Sequence, residues 1–224
     1  MNTQQTFIDA AQKGDLQLVE QMVAHEPSLV NAKSPDGLSA VLNAIYYGQR
    51  HVAESLIAHG ADLNVFEAEA AGKLDRVKEL MDEQPSLANA YADDGFQPLG
   101  LASFLGHKAI VDFLLSRGAE VNSASRNNLK VMPLHSAVAS QNIDIARKLL
   151  EHGADVNAIQ ADDFTPLHGA AQNGQTEMVR LLLTSGANRE ARSADGQTAL
   201  SLAQAKGYQE AADLLQLTEE RRGM

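Results

Sequence analysis

A five-residue phrase, Gly-Ala-Asp-Val-Asn, recurs along this 224-residue chain and sets its length scale. It is complete at 153–157. It returns as Gly60-Ala61-Asp62-Leu63-Asn64, as Gly118-Ala119-Glu120-Val121-Asn122 and, more loosely, as Gly186-Ala187-Asn188. The glycines at 118, 153 and 186 stand 35 and 33 residues apart, whereas 58 residues separate Gly60 from Gly118. Self-similarity at a period near 33 specifies stacked supersecondary units, each touching only its neighbours, rather than one closed core. Such an array offers an extended surface and usually has no closed pocket for chemistry.

The clearest unit opens at Asp163-Phe164-Thr165-Pro166-Leu167-His168. Thr165 can cap a helix, and Pro166 suits its first turn, where no backbone donor is lost. Ala170 and Ala171 allow close helix packing, and Gly174 breaks the run. A second helix follows, with Met178, Val179, Leu182 and Leu183 at helical spacing. Gly186 stops it in the left-handed conformation, where a Cβ would be strained. One unit is therefore helix, tight turn, helix, loop.

Aligning on the leucine of the first helix places Val41, Leu99, Leu134, Leu167 and Leu200 together. In the first four the stop glycine follows 19 residues later, at 60, 118, 153 and 186. The turn between helices holds Gly48, Gly106, Gln141, Gly174 and Gly207, with Gln141 the one departure. Residues 7–37 and 65–95 match each other at a shift of 58 positions, pairing Gly14 with Gly72, Pro27-Ser28-Leu29 with Pro85-Ser86-Leu87 and Asp36-Gly37 with Asp94-Gly95. These matches add two units without the Thr-Pro-Leu-His opening and bring the total to seven. Only a dozen residues run from Gly60 to Gly72, and they must also hold a helix. The third unit therefore has no room for a projecting loop, which predicts a notch in the row.

Thr-Pro-Leu-His, the Ala-Ala pair, the mid-turn glycine and Gly-Ala-Asp-Val-Asn together resemble the ankyrin repeat, over nearly the whole chain. The resemblance implies an all-α solenoid of antiparallel helix pairs with loops projecting as β-hairpin fingers. It divides one domain into repeats at 1–34, 35–64, 65–92 (short), 93–126, 127–159, 160–192 and 193–224. The first and last serve as caps, and a polar tail runs over 218–222.

Composition narrows the functions. There is no cysteine, so disulfides and thiolate chemistry are excluded. A net charge of −11 opposes binding to nucleic acid or an anionic membrane. The first five residues lack the basic start and apolar run of a signal peptide, and no apolar stretch reaches membrane-spanning length. A soluble, monomeric, cytoplasmic protein is the expectation. No nucleophile elbow, phosphate-cradling loop or metal-ligand spacing occurs. The resemblance makes His135 and His168 structural ties between neighbouring loops, and His59 and His152 sit at the exposed ends of second helices. Asp93-Asp94 and Asp162-Asp163 read as solvated turn residues. No catalytic residue, cofactor or metal is expected.

Seven of the ten aromatics lie between 46 and 113. Phe113 and Phe66 read as core. Phe96 and Phe164 hold the finger position before Thr-Pro, where Leu38 is equivalent, and by resemblance that position faces a partner. Tyr46 and Phe104 stand two residues before the mid-turn glycine, where the third unit has Ala70. The expectation is a protein-binding adaptor or scaffold using Leu38, Tyr46, Tyr47, Tyr91, Phe96, Phe104 and Phe164, with acidic fingertips drawing a basic partner. In this picture Tyr46, Phe96 and Phe104 flank the notch and Ala70 forms its floor. The alternative is a peptide or small-ligand receptor with an apolar pocket at the notch.

Overall fold

The structure, a computed structural model, describes residues 3–216, so the polar run at 218–222 lies outside it. Seven helix pairs follow one another: α1 (Thr3–Lys13) with α2 (Leu16–His25), α3 (Ala40–Tyr46) with α4 (Arg50–Ala58), α5 (Val65–Ala70) with α6 (Leu74–Glu83), and α7 (Pro98–Leu105) with α8 (Lys108–Ser116). Then come α9 (Pro133–Ala139) with α10 (Ile143–Glu151), α11 (Pro166–Gln172) with α12 (Thr176–Thr184), and α13 (Ala199–Ala205) with α14 (Gln209–Gln216). Two compact units form, residues 1–87 and 88–224. Within the first, α1, α3 and α5 stack in a row. Within the second, α7, α9, α11 and α13 stack in one row and α8, α10, α12 and α14 in another.

Inside each stack the first helix of a pair is short and nearly buried throughout, because it has neighbours on both sides, whereas α1 and α13, at the ends, bury only four and three residues. In α11 only Gly169 and the C-terminal Gln172 escape full burial. Thr165 caps that helix reciprocally: its hydroxyl accepts from the His168 N–H, and His168 Nδ1 accepts from the Thr165 N–H at 3.1 Å. The second helices are amphipathic. Ile145, Ala146 and Leu149 of α10 are buried while Asp144, Arg147 and Glu151 face water. Leu99, Leu134 and Leu167, the aligned leucines, are each 1% exposed and form successive layers of the second unit's core.

Between the two helices of a pair, the chain turns through the left-handed region. The mid-turn residues Gly14, Gly48, Gly72, Gly106, Gly174 and Gly207 all have φ between 63° and 78°, and Gln141 adopts φ 57° in the same place. Gln141 is therefore no exception in geometry, only in chemistry.

An asparagine ladder fixes one pair against the next. Asn31 Oδ1 accepts from the Asp62 N–H at 2.8 Å, Asn89 from Glu120 at 2.8 Å, Asn122 from Asp155 at 2.8 Å and Asn157 from Asn188 at 2.7 Å. In the second unit the amides of Asn89, Asn122 and Asn157 also donate to the stop glycine of the next repeat, at Gly118, Gly153 and Gly186. Asn64 is used differently. Its side chain accepts from the Glu67 N–H at 3.0 Å and the Glu67 carboxylate accepts from the Asn64 N–H at 2.8 Å, a capping box that starts α5 at once.

The projecting loops differ from the β-hairpins the resemblance implies. Each is a tight turn closed by a backbone bond: Ser34 to Leu38, Ala92 to Phe96, Ser125 to Val131, Gln160 to Phe164 and Ser193 to Gln197. One isolated antiparallel bridge, Lys33 to Ser39, is all the strand pairing among the described residues. Turns of five to seven residues leave no length for a ladder. The link from α4 to α5 contains no such turn.

A Cβ at Gly174 would lie 2.6 Å from the Tyr208 ring, whereas one at Gly207 would meet nothing within 4 Å. Both glycines have positive φ, so alanine costs about 1–2 kcal/mol at either position for backbone strain. Gly174→Ala must also displace the ring. Urea unfolding is expected to show Gly174→Ala less stable than Gly207→Ala by about 1 kcal/mol or more.

Candidate functional site

In the second unit the turns form a continuous row. The Arg126 N–H donates to the Gly95 carbonyl at 2.8 Å, Ala161 to Leu129 at 2.9 Å and Ala194 to Asp162 at 2.8 Å. Asn127 adds an amide donation to the Asp94 carbonyl at 3.1 Å. Buried histidines hold the row from beneath. His135 Nε2 donates to the Phe164 carbonyl at 3.2 Å, and His168 Nε2 donates to the carbonyls of Ala191 and Gln197, both at 3.1 Å. The Thr165 hydroxyl and N–H donate to His168 Nδ1, which fixes its neutral tautomer. Burial lowers the pKa of both rings, that of His135 to about 4, with the carbonyl contacts opposing the shift. Each histidine therefore stays neutral and ties its repeat to the following turn.

The residues singled out from the sequence fall into two groups. Tyr46 and Tyr47 at the end of α3 are 41% and 60% exposed, and Phe104 near the end of α7 is 52% exposed. Leu38, Tyr91, Phe96 and Phe164 are half-buried. Tyr91 lies beneath the Arg126 guanidinium, 3.7 Å from the ring centre, and its hydroxyl bonds to Ser123 at 2.9 Å. The Phe164 ring packs 5.1 Å from that of His168. Tyr91 and Phe164 thus brace the turns from inside the repeat. Phe66 and Phe113, read as core, are also only half-buried, and the Arg117 guanidinium covers Phe113 at 5.3 Å.

Two exposed apolar residues lie outside the set singled out from the sequence. Leu129, at the tip of the seven-residue turn, is 56% exposed, and Ile159, just before the next turn, is 54% exposed. Leu129 has no counterpart in the five-residue turns, whereas Ile159 stands where the fourth repeat has Tyr91, an alignment that could have pointed to it. Around them Asp93, Asp162, Asp163 and Asp195 face solvent, but so do Arg126, Lys130 and Arg192. The tips therefore carry both signs of charge rather than the purely acidic edge the sequence suggested.

The short repeat is walled differently from the aromatic notch anticipated there. Two cavities of about 720 and 480 Å³ run beside α5 and α6 and share Asp62, Leu63 and Arg76. Lys33, Ser39, Asn31, Asn64 and Glu67 complete the smaller. No aromatic lines either, and Ala70 is buried.

Glu69 is the residue least expected from its surroundings. It aligns with Ala11, Ser103, Val138 and Ala171, all buried, with the half-buried Ile45 and with Gln204, exposed in the last repeat. It is itself fully buried, and neither carboxylate oxygen has a hydrogen-bond partner. Burial pushes its pKa well above the ordinary carboxylate value, so it favours the protonated form.

Among the described residues no group of three His, Asp or Glu could hold a metal ion, and no helix is long and apolar enough to cross a membrane.

Stacked short helix pairs, positive-φ turn glycines and an asparagine ladder define an α-solenoid repeat protein. The model of the ankyrin-repeat family, in three copies, matches residues 66–160 and 134–220, so the chain belongs to that family. It is 29% identical over 158 residues to alpha-latrocrustotoxin-Lt1a of Latrodectus tredecimguttatus, covering 66% of this chain and 11% of the toxin. It is 31% identical over 151 residues to the ankyrin repeat and KH domain-containing protein mask-1 of Caenorhabditis elegans, covering 66% and 4%. With the ankyrin repeat protein nuc-2 of Neurospora crassa it shares 27% over 165 residues, covering 68% and 15%. The chain thus spans a small fraction of these relatives' length.

Stability should report Glu69 and His135 in opposite pH windows. The Glu69 pKa is higher folded than unfolded, so stability is retained below the unfolded value, near 4.5, and falls as pH rises through the folded value. The loss is at most about 1.4 kcal/mol per pH unit. The His135 pKa is lower folded than unfolded, so stability falls as pH drops from 6.5 towards 4. Glu69→Ala is expected to be more stable than the parent at pH 8, with the gap closing towards pH 4.5. Urea unfolding at several pH values measures it, and an equal difference at every pH contradicts it.

Proposed function

We propose that the chain is a non-catalytic protein-interaction module, an adaptor or scaffold, that engages its partner through the row of turns in residues 88–216. Ankyrin repeats are in general protein–protein interaction modules. The observation that carries the reading is Leu129 and Ile159, more than half exposed, beside turns tied together by backbone bonds. Ordered apolar side chains that face water have burial energy to gain from a partner, and fixed turns lose little entropy on docking. Phe104 and the half-buried edge of Phe96 extend the apolar contact on the same unit. In the other unit Leu38, Tyr46 and Tyr47 are the exposed or half-exposed counterparts. Charge of both signs on the tips favours orientation over bulk attraction, so a partner with a simple basic face is not required. A small-ligand receptor would need an apolar pocket, and the charged Asp62, Lys73, Asp75 and Arg76 that line the larger cavity beside Ile57, Leu63 and Leu74 do not favour that reading.

Affinity capture from native cell extract tests the module. The parent chain is compared with Leu129→Ser/Ile159→Ser, and separately with Tyr46→Ser/Tyr47→Ser, after circular dichroism has shown each folded. The first variant is expected to lose the proteins that the parent retains. Undiminished capture by both variants would leave the proposed surfaces without a role.

A further inference from the structure

Repeat 3 is loosely attached to repeat 2. Asn64 is used to cap α5, so this junction lacks the asparagine bond that joins Asn31 to Asp62 between repeats 1 and 2. α2 and α4 pack together, but α4 and α6 barely touch. The cavity of about 720 Å³ opens there, lined by Ile57 and Leu63 of repeat 2 and by Leu74 and Arg76 of α6. The pair also buries little. α5 spans only six residues and contributes Val65, Ala68 and Ala70, and α6 adds Val77 and Met81. Repeat 2 buries Val41, Leu42, Val52 and Leu56 besides its alanines. Few buried apolar contacts place a segment at the low end of local stability.

Into this pair the chain places Glu69, fully buried and with neither carboxylate oxygen hydrogen-bonded. Among the described residues no neighbour offers it a countercharge. α5 packs on α3 and α6. Tyr46 is the one titratable side chain of α3, and Lys73, in the turn between α5 and α6, is exposed. On α6 Lys78 is paired with Asp75 and Arg76 with Glu79 in solvent-exposed contacts, and Asp82 and Glu83 are exposed carboxylates. Glu67 of α5 is held by the Asn64 N–H, and α7, the next first helix along the chain, has no titratable side chain. An ionised carboxylate in such surroundings forfeits its hydration and gains no partner in return. Burial therefore holds Glu69 in the protonated form.

We propose that repeat 3 is a proton-held latch. While Glu69 keeps its proton, α5 and α6 stay docked; when the proton passes to solvent, that one helix pair opens and the other repeats stay folded. The carboxylate needs water, and opening its own pair is the least costly way to reach it. In a solenoid each repeat holds only its nearest neighbours, so one pair can open without collapse of the whole. Here the junction already lacks its asparagine bond and stands beside a cavity. The carboxyl of an open repeat titrates near 4.5 and that of the closed repeat well above it. The open population therefore grows as pH rises between the two values, by up to about tenfold per pH unit. Acid holds the latch and alkali releases it. The inference does not depend on the partner surface proposed above.

Hydrogen exchange of the intact protein, read by mass spectrometry on peptides covering residues 65–83, tests the latch. Protection factors, with the pH dependence of intrinsic exchange divided out, are followed from about pH 5 to about pH 8. In the parent chain, protection over α5 and α6 is expected to fall by about tenfold or more across that range, while α3, α4, α7 and α8 keep theirs. Glu69→Gln cannot ionise, and its protection over 65–83 is expected to be independent of pH. Glu69→Ala gives the same comparison with no polar group in the core, so the test stands if the glutamine variant folds poorly. The same pH slope in the parent and in a variant that cannot ionise would overturn the proposal, because it would place the titration elsewhere. An equal fall in every repeat would overturn it too, since the proton would then act on the whole fold. So would flat protection over 65–83 in the parent.

Discussion

Each helix pair in this chain can bury its apolar face only against the next pair, so everything else depends on the register between successive pairs. Leucines such as Leu134 and Leu167 supply the burial energy, but apolar contact is non-directional and would tolerate sliding. Direction comes from polar groups at the edges. Asn89, Asn122 and Asn157 each join the following repeat by accepting from a backbone N–H and donating to a glycine carbonyl, which leaves one register satisfied. His135 and His168 tie the turns on the other edge by donating to backbone carbonyls from inside the protein, where burial favours the neutral ring. The two sets of bonds make the row of turns a property of the stack rather than of each loop.

Repeat 3 shows what happens when one residue of that scheme is redirected. Asn64 has the same chemistry as Asn122, yet it faces Glu67 three residues on, and together they form a capping box. A local cap closes a loop of four residues and costs little entropy, whereas a ladder bond must span about 30. Glutamate at the third helical position is thus enough to turn a ladder residue into a helix start. The chain then has no residues left for a turn, and a Cβ on Gly37 would meet nothing within 4 Å where one on Gly95 would meet the next turn.

Positions that depend on backbone geometry were legible in the sequence. Glycines at 14, 48, 72, 106, 174 and 207 announce the left-handed turn because side chains are strained there, and the threonine and proline at 165 and 166 announce a helix start. Even the missing loop of repeat 3 could be counted from the spacing. Side-chain exposure was less legible. Phe96, Phe164 and Tyr91 were read as partner-facing from their place in the repeat, but Tyr91 and Phe164 fold back onto Arg126 and His168. Leu129 was invisible because the turn carrying it is two residues longer than its neighbours, and an alignment on period has no column for it. Exposure depends on such irregularities, and a repeat-based reading averages them away.

Glu69 is where the sequence departs furthest from what its own repeat demands. The equivalent positions inside the stack hold alanine, isoleucine, valine or serine, with glutamine only in the last repeat, where it is exposed, and Ser103 shows how a polar group survives burial there, donating to the Leu99 carbonyl at 2.6 Å within its own helix. A glutamate side chain is too long for that bond and finds no other. In a globular core such a defect would be diluted across many contacts. In a solenoid, stability is close to a sum of repeat and nearest-neighbour terms, so the cost stays local. Repeat 3 carries the unpartnered carboxyl, the redirected asparagine and the absent turn together. It therefore forgoes the stabilisation its neighbours gain from burial, register and turn pairing at one point along the chain.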